Sequence, residues 1–298
     1  LNSKKTIFAV TSPRTIEKII PEIKLLTTHL SGKKWSKVQI EYFDLLFNSD
    51  FYKGEKYPSD PAFAARDRIN RAPKALGFVD LNPKISLTKA GQLMLTEKRL
   101  DETFTRQLLK FQLPSPYHIQ SKTIDFDVKP YLEILRLIDT VDSLSKTEIA
   151  LFFLQLTNHN KFDEIVRKII SFRNNSKKYK GSRKTYVSEQ FEKEICNIYQ
   201  EEIQNKDLKT RESSTKTIKE FVKKKSSNMK DYADAFVRYI RATELVTFQK
   251  RTFRLIISPQ KTEEVKYLLE NTQRSANQFA NISDFKKYLH DPFSLQLL

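Results

Sequence analysis

Glycine is scarce, with only 5 among 298 residues. The chain is therefore not expected to fold around a glycine-rich cofactor loop. There is one cysteine, Cys196. That excludes an internal disulfide framework and a cysteine-rich zinc site. No run approaches the roughly 20 apolar residues that span a bilayer. The apolar stretch within Leu1–Val10 is too short for a secretory leader. Acidic residues are outnumbered, 36 Asp and Glu against 53 Lys and Arg, for a formal net charge of +17. A charge of this size is either borne as self-repulsion or met by a polyanion. Nucleic acid is the first candidate and an anionic membrane surface the second. Composition points to an intracellular protein of the bacterial cytoplasm. The length suits one large domain or two ordinary ones.

What is present is a repeated local grammar. Apolar residues at helical spacing (Ile16, Ile19, Ile20, Ile23, Leu26, Leu30) predict a helix over 15–30, with Pro21 kinking or starting it. A second helix is expected over Ser36–Leu46. Ser59-Asp60-Pro61 then supplies an N-cap and a proline at the first helical position. A helix follows over Ala62–Leu76, stopped by Gly77. Phe78-Val79 reads as a strand, Asp80–Pro83 as a turn and Lys84–Leu87 as a returning strand. Another helix opens at Thr88. Helix, hairpin, helix is the back half of a winged helix-turn-helix. About 165 residues later the order recurs: a helix over Met229–Thr243, strands at Val246–Phe248 and Thr252–Ile257, and a helix over Glu263–Glu270. The two stretches share this pattern without close residue identity. Between them, Ser145 and Glu148 form a capping box ahead of an apolar run, and a helix is expected over Phe162–Phe172. Pro114, Pro116 and a polar segment to Pro130 suggest a boundary near 115–130. The expected fold is mainly α with small β-hairpins (α+β), as two winged-helix-type subdomains over 1–125 and 126–298.

The first candidate recognition helix carries Arg66, Asp67, Arg68, Asn70, Arg71 and Lys74. Phe63, Ile69 and Leu76 are expected to face the core. Arginine can bond guanine O6 and N7 with two parallel hydrogen bonds, and asparagine can do the same to adenine N6 and N7. The second helix offers Lys230, Tyr232, Asp234, Arg238 and Arg241, with Ala233, Phe236, Val237 and Ile240 on its apolar side. Asp234 and Arg238 are spaced for an ion pair. Two basic stretches suit phosphates. The first, Arg173–Lys184, holds Arg173, Lys177, Lys178, Lys180, Arg183 and Lys184 with no acid. The second is Lys206–Lys230. The plainer reading of both is a solvated linker.

Catalytic and metal signals are poor. Asn158-His159-Asn160 lacks the further ligands of an HNH nuclease. Tripeptides of the form (D/E)xK start at Glu22, Asp127, Asp207, Glu264 and Asp284, about as many as random order gives in a chain so rich in both residue types. There is no Pro-Asp dipeptide. No catalytic or metal-binding residue is assigned.

Several blocks in order resemble the N-terminal half of the AlwI/BstNBI type of type IIS restriction and nicking endonucleases. They are Ser12-Pro13-Arg14 with IEKIIPEIKLL, then FAARDRINRAPKALGFV, LTKAGQLML, LSKTEIALFFLQLTNHNKFDEI, ISFRN and YADAFVRYIRATEL. The resemblance implies a short asymmetric DNA site, GAGTC or GGATC among the expectations, read by two winged-helix-type subdomains. It also implies a separate Mg²⁺-dependent PD-(D/E)xK nuclease domain or subunit that cuts a few bases outside the site, and a cognate DNA methyltransferase. No cofactor is expected in the chain itself. Matching positions are Ser12 and Arg14, then Arg66, Asp67, Arg68, Asn70, Arg71 and Lys74, then Tyr232, Asp234, Arg238 and Arg241. Arg14, between an apolar run and a helix, suits a phosphate contact. The chain is expected to bind double-stranded DNA and leave cutting to that other domain. The alternative is a winged-helix transcriptional or replication-initiation protein, which acts as a dimer on an inverted repeat.

Overall fold

The computed structural model describes residues 4–10, 13, 15–115, 125–210, 214–279 and 281–298. Ser12 and Arg14 lie outside the described residues. A 3-10 turn (Ile16–Lys18) leads into α1 (Ile19–Leu30). Pro21 sits in the first turn of α1, where its missing N–H leaves no helical bond unmade. Ile19, Ile23, Leu26 and Leu30 are fully buried. After the 3-10 turn Trp35–Lys37 come α2 (Gln39–Phe47), α3 (Pro61–Ile69) and α4 (Ala72–Ala75). The hairpin pairs β1 (Val79–Asp80) with β2 (Ser86–Leu87), Val79 opposite Leu87. Gly32 N–H donates to Ile85 (2.8 Å) and Ile85 N–H to Lys33 (2.9 Å), so the link between α1 and α2 adds a third strand-like edge. α5 (Lys89–Leu95) and α6 (Leu100–Leu109) complete this first unit.

Local signals set the ends of these elements. Asp60 accepts from the Phe63 N–H at 2.8 Å, with Pro61 next. Gly77 takes φ +75°, a conformation that favours glycine. One expectation is corrected. The helix over Ala62–Leu76 is two pieces, α3 and α4, broken at Asn70-Arg71, where Arg71 has ψ −128°. Pro73 has no N–H to give the Ile69 carbonyl, and its ring would clash there.

The second unit repeats the order with an insertion. α7 (Pro130–Val141) is followed by Leu144, which exchanges backbone hydrogen bonds with Leu255 at 2.9 and 2.7 Å, and then by α8 (Lys146–Leu151). The Ser145–Glu148 capping box is formed in both directions. α9 (Phe162–Lys178), α10 (Arg183–Ile198) and α11 (Gln200–Gln204) intervene before α12 (Ile218–Arg241). β3 (Val246–Phe248) and β4 (Leu255–Ile257) form the hairpin, followed by α13 (Thr262–Asn271) and α14 (Ile282–His290). Thus Arg173–Lys178 and Ile218–Lys230 lie on helices. They are not linker, because buried Ile165, Ile169 and Phe172, and Phe221, Ser226 and Met229, give them packed faces.

The core runs through both units. Phe236 packs on Tyr131 and on Phe153, each at 5.1 Å between centroids, and Phe104 meets Tyr239 at 5.8 Å. Leu113 and Val128 exchange backbone hydrogen bonds at the expected boundary. The N-terminal segment also packs on the second unit, with Ile7 N–H donating to the Leu154 carbonyl at 2.8 Å. The last helix returns to the first unit. Gln107 donates to the Leu76 and Leu289 carbonyls, Lys110 to that of Tyr288, and Lys286 pairs with Asp80 at 2.6 Å. Among the described residues, no helix is long and apolar enough to cross a membrane.

Candidate nucleic-acid interface

In the first unit, α3 and α4 sort their charges into two kinds. Arg68 pairs with Glu22, and Arg71 with Asp67. Arg66 instead donates to the neutral amide oxygen of Gln39 at 2.8 Å. Lys74 reaches the Asn70 oxygen at 3.5 Å. Burial lowers the Lys74 pKa, and Asp80 works against that shift. A neutral partner aims a cation without cancelling it, so Arg66 keeps its charge for an outside acceptor. Asn70 is exposed at the break. Phe63 corrects an expectation: it is 60 % exposed, while Ile69 and Leu76 are fully buried. It stands one turn from Arg66, whose guanidinium lies 5.9 Å from its ring. Helical spacing around Ile69 puts Phe63 near the solvent edge, a signal the sequence offered.

Arg68 belongs to a buried cluster. Beside its pairing with Glu22, the buried Glu22 Oε2, Arg68 Nε and Tyr42 hydroxyl have no hydrogen-bond partner among the described residues. Burial pushes the Glu22 carboxyl up to about 7, against the pull of the Arg68 charge and hydrogen bond. The outer side of Arg68 lies 5.2 Å from the Tyr52 ring and lines a cavity of about 280 Å³ with Pro13, Lys18, Phe51, Lys53 and Gly54. Tyr239 of α12 donates to the Pro13 carbonyl at 2.7 Å, which places Pro13, the middle of the Ser12-Pro13-Arg14 block, between the two units.

In the second unit, Ala233, Phe236, Val237 and Ile240 are buried as expected. Asp234 pairs with Arg238 at 3.0 Å and also with Lys146 at 2.6 Å. The hydrogen bond from Lys146 leads in holding the Asp234 carboxyl below its ordinary range. Lys230 is exposed over the Phe191 ring, and Arg241 over Phe248. Tyr232 is half-buried and packs on the core.

The basic stretch divides as well. Lys177, Lys178, Lys180, Arg183 and Lys184 are exposed around the turn from α9 to α10. Arg173 is turned inward, donating to Glu148 at 2.7 Å and to the Val141 and Ser143 carbonyls. Its role in the structure is to tie α9 to the α7–α8 corner. Arg254 from the hairpin joins the same carboxylate at 2.6 Å. Burial raises the Glu148 pKa, but the Arg173 hydrogen bond, the Ser145 N–H and the Arg254 charge outweigh it and hold the carboxyl low.

His159 lies 3.3 Å from Asp127, and no group of three or more His, Cys, Asp or Glu among the described residues could hold a metal ion. A larger cavity of about 420 Å³ lies beside α13, lined by Lys129, Tyr267, Tyr288 and Phe293, away from the candidate residues. Sequence reasoning also passed over Phe253 at the second hairpin tip, which is 73 % exposed.

The AlwI restriction endonuclease family matches over residues 74–295. Among solved structures, the chain is similar to the BpuJ1 endonuclease binding domain, solved with pyrene- and phenanthrene-modified DNA. The TM-score is 0.59 at 15 % identity, covering 98 % of this chain and 96 % of that one. No curated protein matches the chain.

Proposed function

The chain belongs to the AlwI restriction endonuclease family, and from that premise we propose that it is a sequence-reading module for double-stranded DNA. The observation that carries this reading is the repeated unit. In both halves a helix, a strand-like link, a helix, a cation-bearing helix and a hairpin occur in that order, the order of a winged helix-turn-helix. The BpuJ1 domain of like fold is a DNA-binding piece of an endonuclease, which fits. Arg66, Asn70 and Lys74 on one side, and Lys230, Arg238 and Arg241 on the other, are the groups offered to base edges. Exposed Lys177, Lys178, Lys180, Arg183 and Lys184 meet phosphates, setting register and affinity rather than sequence. The site is short and asymmetric, because the two units differ in sequence and lie in one chain. GAGTC and GGATC are the first duplexes to try. Strand cleavage is assigned to a separate Mg²⁺-dependent PD-(D/E)xK domain or subunit, self-protection to a cognate methyltransferase, and the setting to the bacterial cytoplasm.

Selection of bound duplexes from a random pool at physiological salt tests the reading. An asymmetric consensus of about five base pairs is expected, whereas an inverted repeat would point to a dimeric transcriptional or replication-initiation protein. With about 6–10 phosphate contacts, affinity should fall roughly 10³–10⁵-fold from 50 to 200 mM salt. EDTA-sensitive cutting of a plasmid at a fixed position by residues 1–298 alone would overturn the division of labour.

A further inference from the structure

We propose that Phe253 is an apolar wedge that enters a base step of the bound duplex and bends it. The inference rests on the reading of the chain as a duplex binder. Phe253 lies at the tip of the β3–β4 hairpin with 73 % of its surface exposed. Its φ is +50°, a left-handed conformation that bulky side chains avoid and that glycine or asparagine adopts readily. A ring held in solvent on a strained backbone adds nothing to the core. Such strain persists where the surroundings impose it, and it concentrates at functional positions.

The tip is rigid. Gln249 N–H donates to the Arg254 carbonyl at 2.8 Å, Phe253 N–H to the Gln249 carbonyl at 3.0 Å, and the Thr252 hydroxyl to Gln249 Oε1 at 2.6 Å. Arg254, the next residue, is anchored to Ser143 and Glu148. The ring therefore stands on a finger braced against α8. Beside it, Lys250 and Arg251 are exposed and have no ion-pair partner among the described residues. An apolar tip beside two exposed cations matches how minor-groove binders work. Cations neutralise nearby phosphates while an inserted side chain partly unstacks one step and kinks the helix toward the major groove. Pyrimidine–purine steps yield most easily and are the expected target. The first hairpin has no such group. Its tip, Asn82-Pro83-Lys84, is tethered through Lys286, which donates to Asp80 and to the Asn82 carbonyl.

The test uses the full chain and the duplex recovered by selection, with 2-aminopurine scanned through and beside the site and end-to-end bending read by energy transfer. The wild type should raise fluorescence at one step and shorten the end-to-end distance. Phe253→Ala should lose both and bind about five- to hundredfold more weakly. Phe253→Leu should keep both. Phe253→Asn should lose both while its Tm holds or rises by about 1–2 °C, since asparagine relieves the φ. A wild-type complex quenched at every step, or Phe253→Ala unstacking DNA as the wild type does, overturns the wedge while leaving duplex binding intact. A Tm drop of several degrees in Phe253→Asn also overturns it, by making the ring a structural element. Absence of any selective duplex binding overturns the wedge together with the reading beneath it.

Discussion

Glu22 in the first unit and Glu148 in the second are both buried carboxylates at hubs of polar contacts, and the two are treated in opposite ways. Glu148 in the second unit receives two arginines and the Ser145 N–H, and its pKa is held low. Glu22 in the first unit receives a hydrogen bond from Arg68, keeps one oxygen unpartnered among the described residues, and has its pKa pushed up to about 7. Burial is similar, so the number of donors decides the sign. The hairpins differ in the reverse sense. The first is held at its tip by α14, while the second is braced on α8 through Arg254 and carries an exposed aromatic at its tip. The second unit is thus rigid at its base and open at its wing. The first is braced at its hairpin and imperfectly satisfied beneath α3.

The hardest blow to this comparison is Glu148→Ala. It strands Arg173 and Arg254 beside an emptied pocket and frees α9 and the hairpin from α8. Removing one partner of a buried pair costs about 3–5 kcal/mol, and urea unfolding should register a loss of that size. A loss below about 1 kcal/mol would mean that the two arginines are satisfied by carbonyls and water, and that the hub is not one.

Gly77→Ala should come next, acting on the first unit's brace. A Cβ there would sit 2.5 Å from Leu289 Cγ and 2.9 Å from the Leu289 carbonyl, at φ +75°. The backbone strain alone is about 1–3 kcal/mol, and the clash pushes α14 away. Limited proteolysis should then cut near residue 280 faster than in the wild type. An unchanged cutting rate would show that α14 does not depend on this close approach.

Arg66→Ala tests function rather than folding. Its hydrogen bond among the described residues is to the neutral Gln39, so its loss strands no buried charge. A cost of about 1–3 kcal/mol on the cognate duplex and little on a scrambled one is expected for a base contact. Equal losses on both would reassign Arg66 to a phosphate. Arg68→Ala should behave differently, lowering stability as well, because it leaves Glu22 alone in the interior.

Much of the fold was written in short local signals. Asp60-Pro61, Gly77 and the Ser145–Glu148 box each set an element end with four residues or fewer, and all three form. Buried Ala233, Phe236, Val237 and Ile240 follow from helical periodicity. What was not legible depends on partners far away in the chain. The strand-like link at Leu144 pairs with Leu255, and Glu148 collects Arg254 from a hairpin about a hundred residues on. Arg173 therefore looks like one more cation in a basic run until the fold turns it inward. Pro73 breaks the helix that the apolar spacing over 62–76 suggests.

The smallest effect at any one pH, and the most specific, concerns Glu22. Its carboxyl titrates near 7 when folded and near its ordinary 4.5 when unfolded. Between those values the folded chain holds a proton that the unfolded chain releases. The stability this site contributes is therefore full below pH 4.5 and lost as pH rises through about 7. Glu148, with its pKa depressed, works the other way, contributing above its ordinary range and failing in acid. Glu22→Gln keeps the shape and removes the titration, while Arg68, partly exposed, can turn to water. Urea unfolding at pH 4.5, 6 and 8 should show the variant matching the wild type in acid and becoming relatively more stable toward pH 8. A uniform loss at all three would mean that Glu22 is a satisfied ion-pair partner like Glu148, and the contrast between the two units would collapse at its base.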